Sequence, residues 1–367
     1  MSRHPDVVVV GGGVIGCAVA WFLAREGVSV TLLEREDVAC QASGAAAGML
    51  LPYGESDTPG TFLAWGQRGL AAFPALCDEL REAGGIDPEF EASGALHVAT
   101  HAQAESRLRS RLGAVSDAGL EWLDPRAARD AESSLRDDVR GALWSPREAH
   151  VRSPLLTRAY AAAAEALGAR IERGVVVSAL LCEGARSVGV DTSRGAFPAG
   201  AVVLCGGAWT PQLAPFELPI EPIRGQIASL DNPSPPLRHI VLEDEVYLVP
   251  KRDGSLVVGA TEERRGFDCR VTAAGVAGLL SAACALAPRL GDTGFRGAWA
   301  GLRPATPDRL PFIGAAPHRE GLFVAAGHFR NGVLLSSVTG QLIAAELLGK
   351  PVPGGAEAFQ PGRFAGP

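Results

Sequence analysis

The run Asp6-Val7-Val8-Val9-Val10-Gly11-Gly12-Gly13-Val14-Ile15-Gly16 constrains this chain more than any other stretch. It is an apolar strand that opens straight into a glycine turn, and glycines 11, 13 and 16 satisfy G-x-G-x-x-G. Val14, Ala18, Trp21 and Phe22 then recur at helical spacing as far as Arg25, and a second apolar strand, Val28 to Leu33, closes on the acid Glu34. Strand, glycine turn, helix, strand and acid in that order make a weak pattern specific. Gly11 allows the tight turn, Gly13 lets a pyrophosphate approach the backbone, and Gly16 lets the helix pack on the strand. The free N–H groups and positive dipole end of the helix suit phosphates. The Glu34 carboxylate suits two ribose hydroxyls. The segment therefore reads as a dinucleotide-binding unit.

At 367 residues the chain is too long for one core, so two domains are expected. With 47% hydrophobic and 20% charged residues it is globular, and a net charge of −7 offers no surface for nucleic acid or anionic membrane. No stretch of about 18 residues is apolar without interruption, so no membrane span is expected. Met1-Ser2-Arg3-His4-Pro5 leads directly into the first strand without a signal-peptide core, and the expectation is a cytoplasmic protein. The seven cysteines, Cys17, Cys40, Cys77, Cys182, Cys205, Cys269 and Cys284, form no C-x-x-C pair and no zinc spacing, so no metal is expected. They read as reduced, buried, small apolar residues.

Further along, helices are expected at 62–83, 102–118, 125–133, 153–167, 271–286 and about 333–348. Strands are expected at 91–100, 170–172, 175–180, 201–205, 227–230, 240–242, 246–249, 256–258 and 322–326, with a proline-rich linker from Pro211 to Pro222. The α/β pattern occupies the start, middle and end, and the β-rich pattern fills the gaps. The expected fold is α/β: a Rossmann-like dinucleotide-binding domain interleaved with an antiparallel-β domain that also carries helices. The expected division gives 1–85, 141–215 and 297–367 to the first domain, and 86–140 and 216–296 to the second.

Two more glycine sites follow apolar strands. Gly206-Gly207 ends Ala201 to Cys205, and Gly327-His328-Phe329-Arg330-Asn331-Gly332 follows Leu322 to Ala326 and precedes a helix. Ligands of open parallel sheets bind beyond the carboxyl ends of the strands. Three such sites are expected if a long cofactor such as FAD lies stretched across the domain, with the last helix N-terminus aimed at the flavin pyrimidine ring.

Gly11 to Gly16, Ala45-Ala46-Ala47-Gly48-Met49-Leu50, Gly301-Leu302-Arg303-Pro304 and Gly327 to Gly332 together resemble the FAD-dependent D-amino-acid oxidase family, in particular its glycine oxidase branch of thiazole biosynthesis. The resemblance covers nearly the whole chain, and it implies a Rossmann-like FAD-binding domain of the glutathione-reductase type interleaved with an antiparallel-β substrate domain with helices. It implies FAD contacts at Val14, Ile15, Glu34, Arg35, Ala42, Ser43, Ala47, Gly48, Met49, Val177 and the run His328, Phe329, Arg330, Asn331, Gly332, Val333 and Leu334. It implies a substrate carboxylate held by Arg303 and by Tyr247 of Tyr247-Leu248-Val249-Pro250, with Arg330 and Met49 also at the substrate. It further implies dioxygen as co-substrate and a homo-oligomer, a tetramer being the candidate assembly. Glu245 and Glu262 stand where the characterised bacterial enzyme has His and Met, and these positions bear on substrate range. Ala42-Ser43-Gly44 stands where Thr-Thr-Ser is usual, which alters flavin hydrogen bonding. Relatives with covalent flavin use a late cysteine; here none follows Cys284, so FAD is expected to be noncovalent.

Flavin takes a hydride from the α-carbon of a neutral amine, so no protein acid or base is strictly required at the carbon, and positioning carries the catalysis. The Arg303 guanidinium offers a planar fork for a carboxylate and Tyr247 a hydroxyl donor. Each residue has a plainer alternative: Arg303 pairing with Asp308, Tyr247 and Met49 as packing, Arg330 capping a carbonyl, and His328 as a satisfied loop histidine. The expected activity is oxidation of glycine or another small amino acid to an imine, with a 2-oxo acid, ammonia and hydrogen peroxide as products. The rivals are a dehydrogenase of the same fold and a noncatalytic FAD-binding subunit.

Overall fold

Val7–Val10 lies inside a six-stranded sheet whose order, edge to edge, is Phe312–Ala315, Leu322–Ala326, Ala201–Leu204, Val7–Val10, Val30–Glu34 and Arg170–Arg173. The computed structural model describes residues 4–54, 60–114, 119–244 and 246–364. All neighbours in this sheet are parallel except Phe312–Ala315, which runs antiparallel to Leu322–Ala326. Strand alternation splits the central residues between two layers. Val7, Val9, Leu32 and Val203 pack with the helices Val14–Arg25, Thr61–Gly84, Ser153–Ala166 and Ser336–Leu347. Val8, Val10, Leu33, Val202 and Leu204 face a three-stranded antiparallel sheet, Val177–Glu183, Arg186–Thr192 and Gly195–Pro198.

The second large sheet has eight strands in the order Phe295–Ala305, Glu221–Asp231, Ser255–Gly259, Tyr247–Pro250, Ile240–Leu242, Ala95–Ala99, Gly141–Ser145 and Glu121–Leu123. Leu96, Val98, Ala228, Leu230, Val241, Leu248, Leu256 and Val258 form one face, covered by Leu279, Ala283 and Leu286 of the helix Ala273–Leu286. Ala95, Ile227, Ile240, Val249 and Val257 form the other, which packs on Ala47, Met49 and Leu51. The chain passes between the two sheets several times, and the segment from Ala42 to Leu51 lies where they meet.

Several expectations need correction. Phe295–Ala305 is an eleven-residue strand, paired along its length with the eleven-residue Glu221–Asp231 from Glu221↔Ala305 to Leu230↔Phe295. Gly297, Gly301 and Pro304 hide it from any strand pattern, because each breaks apolar alternation. The linker expected at 211–222 is irregular over 213–220, between the end of a 3-10 turn, Gly207–Gln212, and the long strand that begins at Glu221. The final helix starts at Ser336, not Val333: Leu335 N–H donates to Asn331 O and Ser336 N–H to Val333 O, a turned segment over which Gly332 and β-branched Val333 favour no helix. Of the helix expected over 102–118, the described part is Ala102–Ala114, and 115–118 lie outside the described residues. Only Cys17, Cys77 and Cys205 are buried. Cys40, Cys182 and Cys269 are exposed and Cys284 half-buried, because Cys182 sits on the outer strand of a three-stranded sheet and Cys284 at the rim of a surface helix. No helix among the described residues is long and apolar enough to cross a membrane.

Candidate active site

The carboxyl ends of the central parallel strands open into a cavity of about 480 Å³, lined there by Val10, Leu33, Cys205, Ala325 and Ala326. The first turn closes only with glycine. Gly11 has φ of +114°, and a Cβ on it would lie 2.6 Å from the Cys205 carbonyl oxygen. A Cβ on Gly16 would lie 1.9 Å from Gly11 O, so the helix can approach the strand only without a side chain there. The Val14 N–H donates to Ser43 Oγ at 2.9 Å, placing a hydroxyl at the helix start. Glu34 accepts from Gly12 N–H through Oε2 at 2.6 Å and from Glu36 N–H through Oε1 at 2.9 Å. Its buried carboxylate is thus held at the cavity wall with lone pairs left for hydroxyls. Beside it the Arg35 guanidinium stacks on Trp209, 3.9 Å from the ring centroid, and Val175, Val176 and Val177 supply apolar lining.

A second cavity of about 280 Å³ adjoins the first. Ala42, Ala46, Phe329, Arg330 and Val333 line both, so the two are contiguous along this edge. Phe329 holds a φ of +49°, a conformation bulky residues rarely adopt, and its N–H donates to Pro304 O at 2.8 Å. Strain of this kind collects at functional sites. His328 is buried, 3.0 Å from Thr339 Oγ1 through Nε2, and burial pushes its pKa down to about 3, so the ring is neutral.

The floor of the second cavity is the open face of the eight-stranded sheet. Directly paired residues share a face, and so do residues two apart on one strand. Leu242↔Tyr247, Tyr247↔Gly259, Gly259↔Ile227, Ile227↔Trp299, Gly225↔Gly301 and Ile223↔Arg303 therefore place Tyr247, Gly259, Gly225, Gly301, Trp299 and Arg303 on one surface. The three glycines let neighbouring groups lie down closely on it. A Cβ on Gly225 would lie 2.5 Å from Arg303 Cζ, and one on Gly259 would lie 2.3 Å from the Tyr247 hydroxyl. Arg303 and Tyr247 thus lie flat over glycines. Trp299 Nε1 donates to Ala45 O at 3.0 Å and ties this surface to the segment common to both cavities.

Arg303 Nη1 donates to Thr261 O at 2.9 Å. Its expected rival partner is taken: Asp308 pairs with Arg363 at 2.8 Å. Behind Thr261 lies a polar cluster. Glu263 accepts from Arg224, Gln226 and Thr261, and those bonds, Arg224 first, push its carboxyl down to about 2. The cluster fixes the backbone that orients Arg303.

Among the sequence-derived site residues, the larger cavity is lined by Gly11, Gly13, Val14, Ile15, Glu34, Arg35, Ala42, Ser43, Val177, Gly206, Gly207, Gly327, His328, Phe329, Arg330, Gly332 and Val333. The second is lined by Ala42, Ala47, Gly48, Met49, Tyr247, Arg303, Phe329, Arg330, Asn331 and Val333, together with exposed Glu262. Gly16 and Leu334 line neither: Gly16 is spent on helix–strand packing and Leu334 packs against Gly66 and Gly69. Glu245 lies outside the described residues. The turn at 327–332 brings no helix N-terminus to the cavity, since the helix begins at Ser336. Trp209, Gly225, Gly259 and Gly301 were not expected as lining; glycines in strands carry no pattern that marks them, and Trp209 reads as core.

A family described as FAD dependent oxidoreductase matches residues 6–346. The chain is 38% identical over 345 residues to the bifunctional protein ThiO/ThiG of Nostoc sp., covering 92% of this chain and 52% of that protein. The chain thus spans about half the length of the bifunctional relatives it matches. It is 36% identical over 351 residues to glycine oxidase of Geobacillus kaustophilus, covering 94% of this chain and 93% of that one. The crystal structure of glycine oxidase from Geobacillus kaustophilus superposes with a TM-score of 0.96 at 35% identity, over 99% of this chain and 100% of the other.

Proposed function

The chain belongs to the FAD-dependent oxidoreductase family, and from that premise we propose that it oxidises the carbon–nitrogen bond of glycine or another small amino acid. The observation that carries the reading is the meeting of the two cavities along Ala42, Ala46, Phe329, Arg330 and Val333, with Arg303 and Tyr247 on the far side. The larger cavity has the groups a dinucleotide needs: a helix start whose N–H groups suit the pyrophosphate, the Glu34 carboxylate to accept from a ribose, and valines and Trp209 for the adenine end. Bound there noncovalently, FAD supplies a two-electron acceptor for a hydride from the amine α-carbon.

The chain's own residues then have positioning tasks. Arg303 pairs its free fork edge with the substrate carboxylate, and the Tyr247 hydroxyl adds a donor. Gly225 and Gly259 let the Arg303 and Tyr247 side chains lie flat on the floor, which keeps the space above them for a small substrate near the wall shared by the cavities. No described residue is assigned as a base at the carbon: burial pushes the His328 pKa down to about 3, which makes its ring too weak a base for that step. The amine loses its proton before transfer, so the lone pair can drive the hydride out. The imine would serve assembly of the thiamine thiazole or hydrolyse to a 2-oxo acid and ammonia, and the two electrons taken up by FAD would pass to dioxygen to give hydrogen peroxide. The relatives in which such a chain forms part of a longer ThiO/ThiG protein support the thiazole step.

The test is a panel of glycine, sarcosine, D-alanine and D-proline, scored by anaerobic bleaching of bound FAD and by peroxide release in air. Bleaching with peroxide is expected. Bleaching without peroxide would replace the oxidase by a dehydrogenase, and bound flavin that none of these amines bleaches would overturn the reading.

A further inference from the structure

The wall common to both cavities is fastened from behind by one buried side chain. Lys251 follows the strand Tyr247–Pro250 and is only 9% exposed. Its Nζ donates to Ala47 O at 2.7 Å and to Val151 O at 3.0 Å, and lies 3.3 Å from His150 Nδ1. An ammonium has three protons, and here three acceptors meet them. All three are uncharged, because burial and the nearby ammonium push the His150 pKa down to about 2. Burial first, and then Arg152, push the Lys251 pKa down to about 7, against Glu89, Asp253 and Glu91, which favour its charge from longer range. Burying an ammonium among neutral groups is costly, and an apolar side chain would fill the space at less cost.

The same three partners set the path of the wall. Val151 N–H donates to Gly48 O at 2.9 Å, and Met49 pairs with His150 in a two-stranded ladder. Gly48 has φ of +81°, and a Cβ on it would meet Val151 O at 2.0 Å. Ala47 to Met49 is thus pressed against Val151, and Lys251 satisfies the two carbonyls that this close approach leaves facing inward. At its other end Lys251 continues the strand that begins with Tyr247.

We propose that Lys251 is a positioning residue that sets the separation between the Ala42–Met49 wall, against which the flavin rests, and the sheet face of Tyr247 and Gly259, on which the substrate rests. This assignment rests on the cofactor and amine-oxidation reading given above. Hydride transfer needs reacting atoms about 3–3.5 Å apart, and a drift of about 1 Å costs about 100-fold in rate. Lys251→Met keeps the stem and deletes the donors, so the wall loses its tie while the space stays filled.

The experiment compares wild type, K251M and K251Q, each loaded with FAD. In K251M the anaerobic bleaching rate at saturating amine, per bound flavin, falls at least about tenfold, with KM and FAD Kd within about threefold. The visible spectrum of bound FAD shifts with it. K251Q restores amide donors and recovers part of the rate, and it carries the same test if K251M does not fold. A merely structural lysine would lower the melting temperature and leave the rate per bound flavin within twofold of wild type, which would overturn the proposal. If no amine bleaches even the wild type, the amine-oxidation reading falls on its own, and the spectrum decides: a shift in K251M sustains the positioning role and an unchanged spectrum overturns it.

Discussion

Gly225→Ala tests carboxylate recognition more cleanly than removing the arginine itself. The three atoms nearest to a Cβ at 225 are Arg303 Cζ at 2.5 Å, Nη1 at 2.5 Å and Nη2 at 2.6 Å. Ordinary van der Waals contact starts near 3.4 Å, so the guanidinium must retreat by about 1 Å. The atoms in the way are the far end of a flexible side chain, and residue 225 lies in a strand with no positive φ, so the fold absorbs the change. What is lost is the aim of the fork. A hydrogen bond between charged groups contributes about 1.5–3 kcal/mol, so kcat/KM for amino acids falls roughly 10- to 150-fold, mostly through KM. The assay is stopped-flow bleaching of bound FAD over a range of glycine or sarcosine, alongside a simple amine without a carboxylate. Melting temperature stays within about 2 °C, and the carboxylate-free amine reacts at its wild-type rate. Arg303→Lys keeps the charge but not the fork and falls in the same range. If G225A treats amino acids as wild type does, or loses both substrate types equally, Arg303 is not the carboxylate anchor.

Glu34→Ala removes the acceptor for Gly12 and Glu36 amides and the candidate ribose partner at once, so FAD Kd measured by fluorescence titration rises roughly 10- to 150-fold; unchanged affinity would remove Glu34 from the site. The kcat/KM profile should rise from neutral to alkaline pH with a limb that follows the pKa of the substrate amine, and His328→Asn should leave that limb in place; a limb that ignores the substrate amine would mean an enzyme base controls the step. Buried His328 and His150 have folded pKa values of about 3 and about 2, below their ordinary value of 6.5. The unfolded chain therefore binds more protons below pH 6.5, and stability is full above that pH and falls as pH drops toward 3, by up to roughly 1.4 kcal/mol per unit for each ring. Urea unfolding from pH 7 to 4 checks this, and a flat profile would contradict the burial of both rings.

How much was legible depended on whether a residue's role is local. The first glycine turn was readable because all its demands fall within one strand–turn–helix: Gly11 for its φ, Gly16 for the helix approach, and Glu34 one strand on. Arg303 and Tyr247 were named through a family resemblance, since nothing near them in sequence marks a site, whereas the 327–332 turn showed as glycines after an apolar strand. The glycine floor under Arg303 and Tyr247 was not legible at all. Gly225, Gly259 and Gly301 acquire meaning only from register, when Gly225 faces Gly301 across one strand pair and Gly259 faces Tyr247 across another. Glycine also disguised the strand that bears Arg303, because Gly297, Gly301 and Pro304 erase the alternation by which a strand is recognised. Lys251 stayed hidden for a related reason: a lysine after a proline reads as a loop cation, and only the fold shows that its acceptors come from Ala47 and Val151, some 204 and 100 residues away. The features that are hardest to read are those that join the two sheets. Trp299 reaches Ala45 and Lys251 reaches Ala47. A hydride donor and its acceptor resting on different sheets are held in register only by such ties. Substitutions at the ties should therefore change rate more than stability, and substitutions within either sheet's own core should do the reverse.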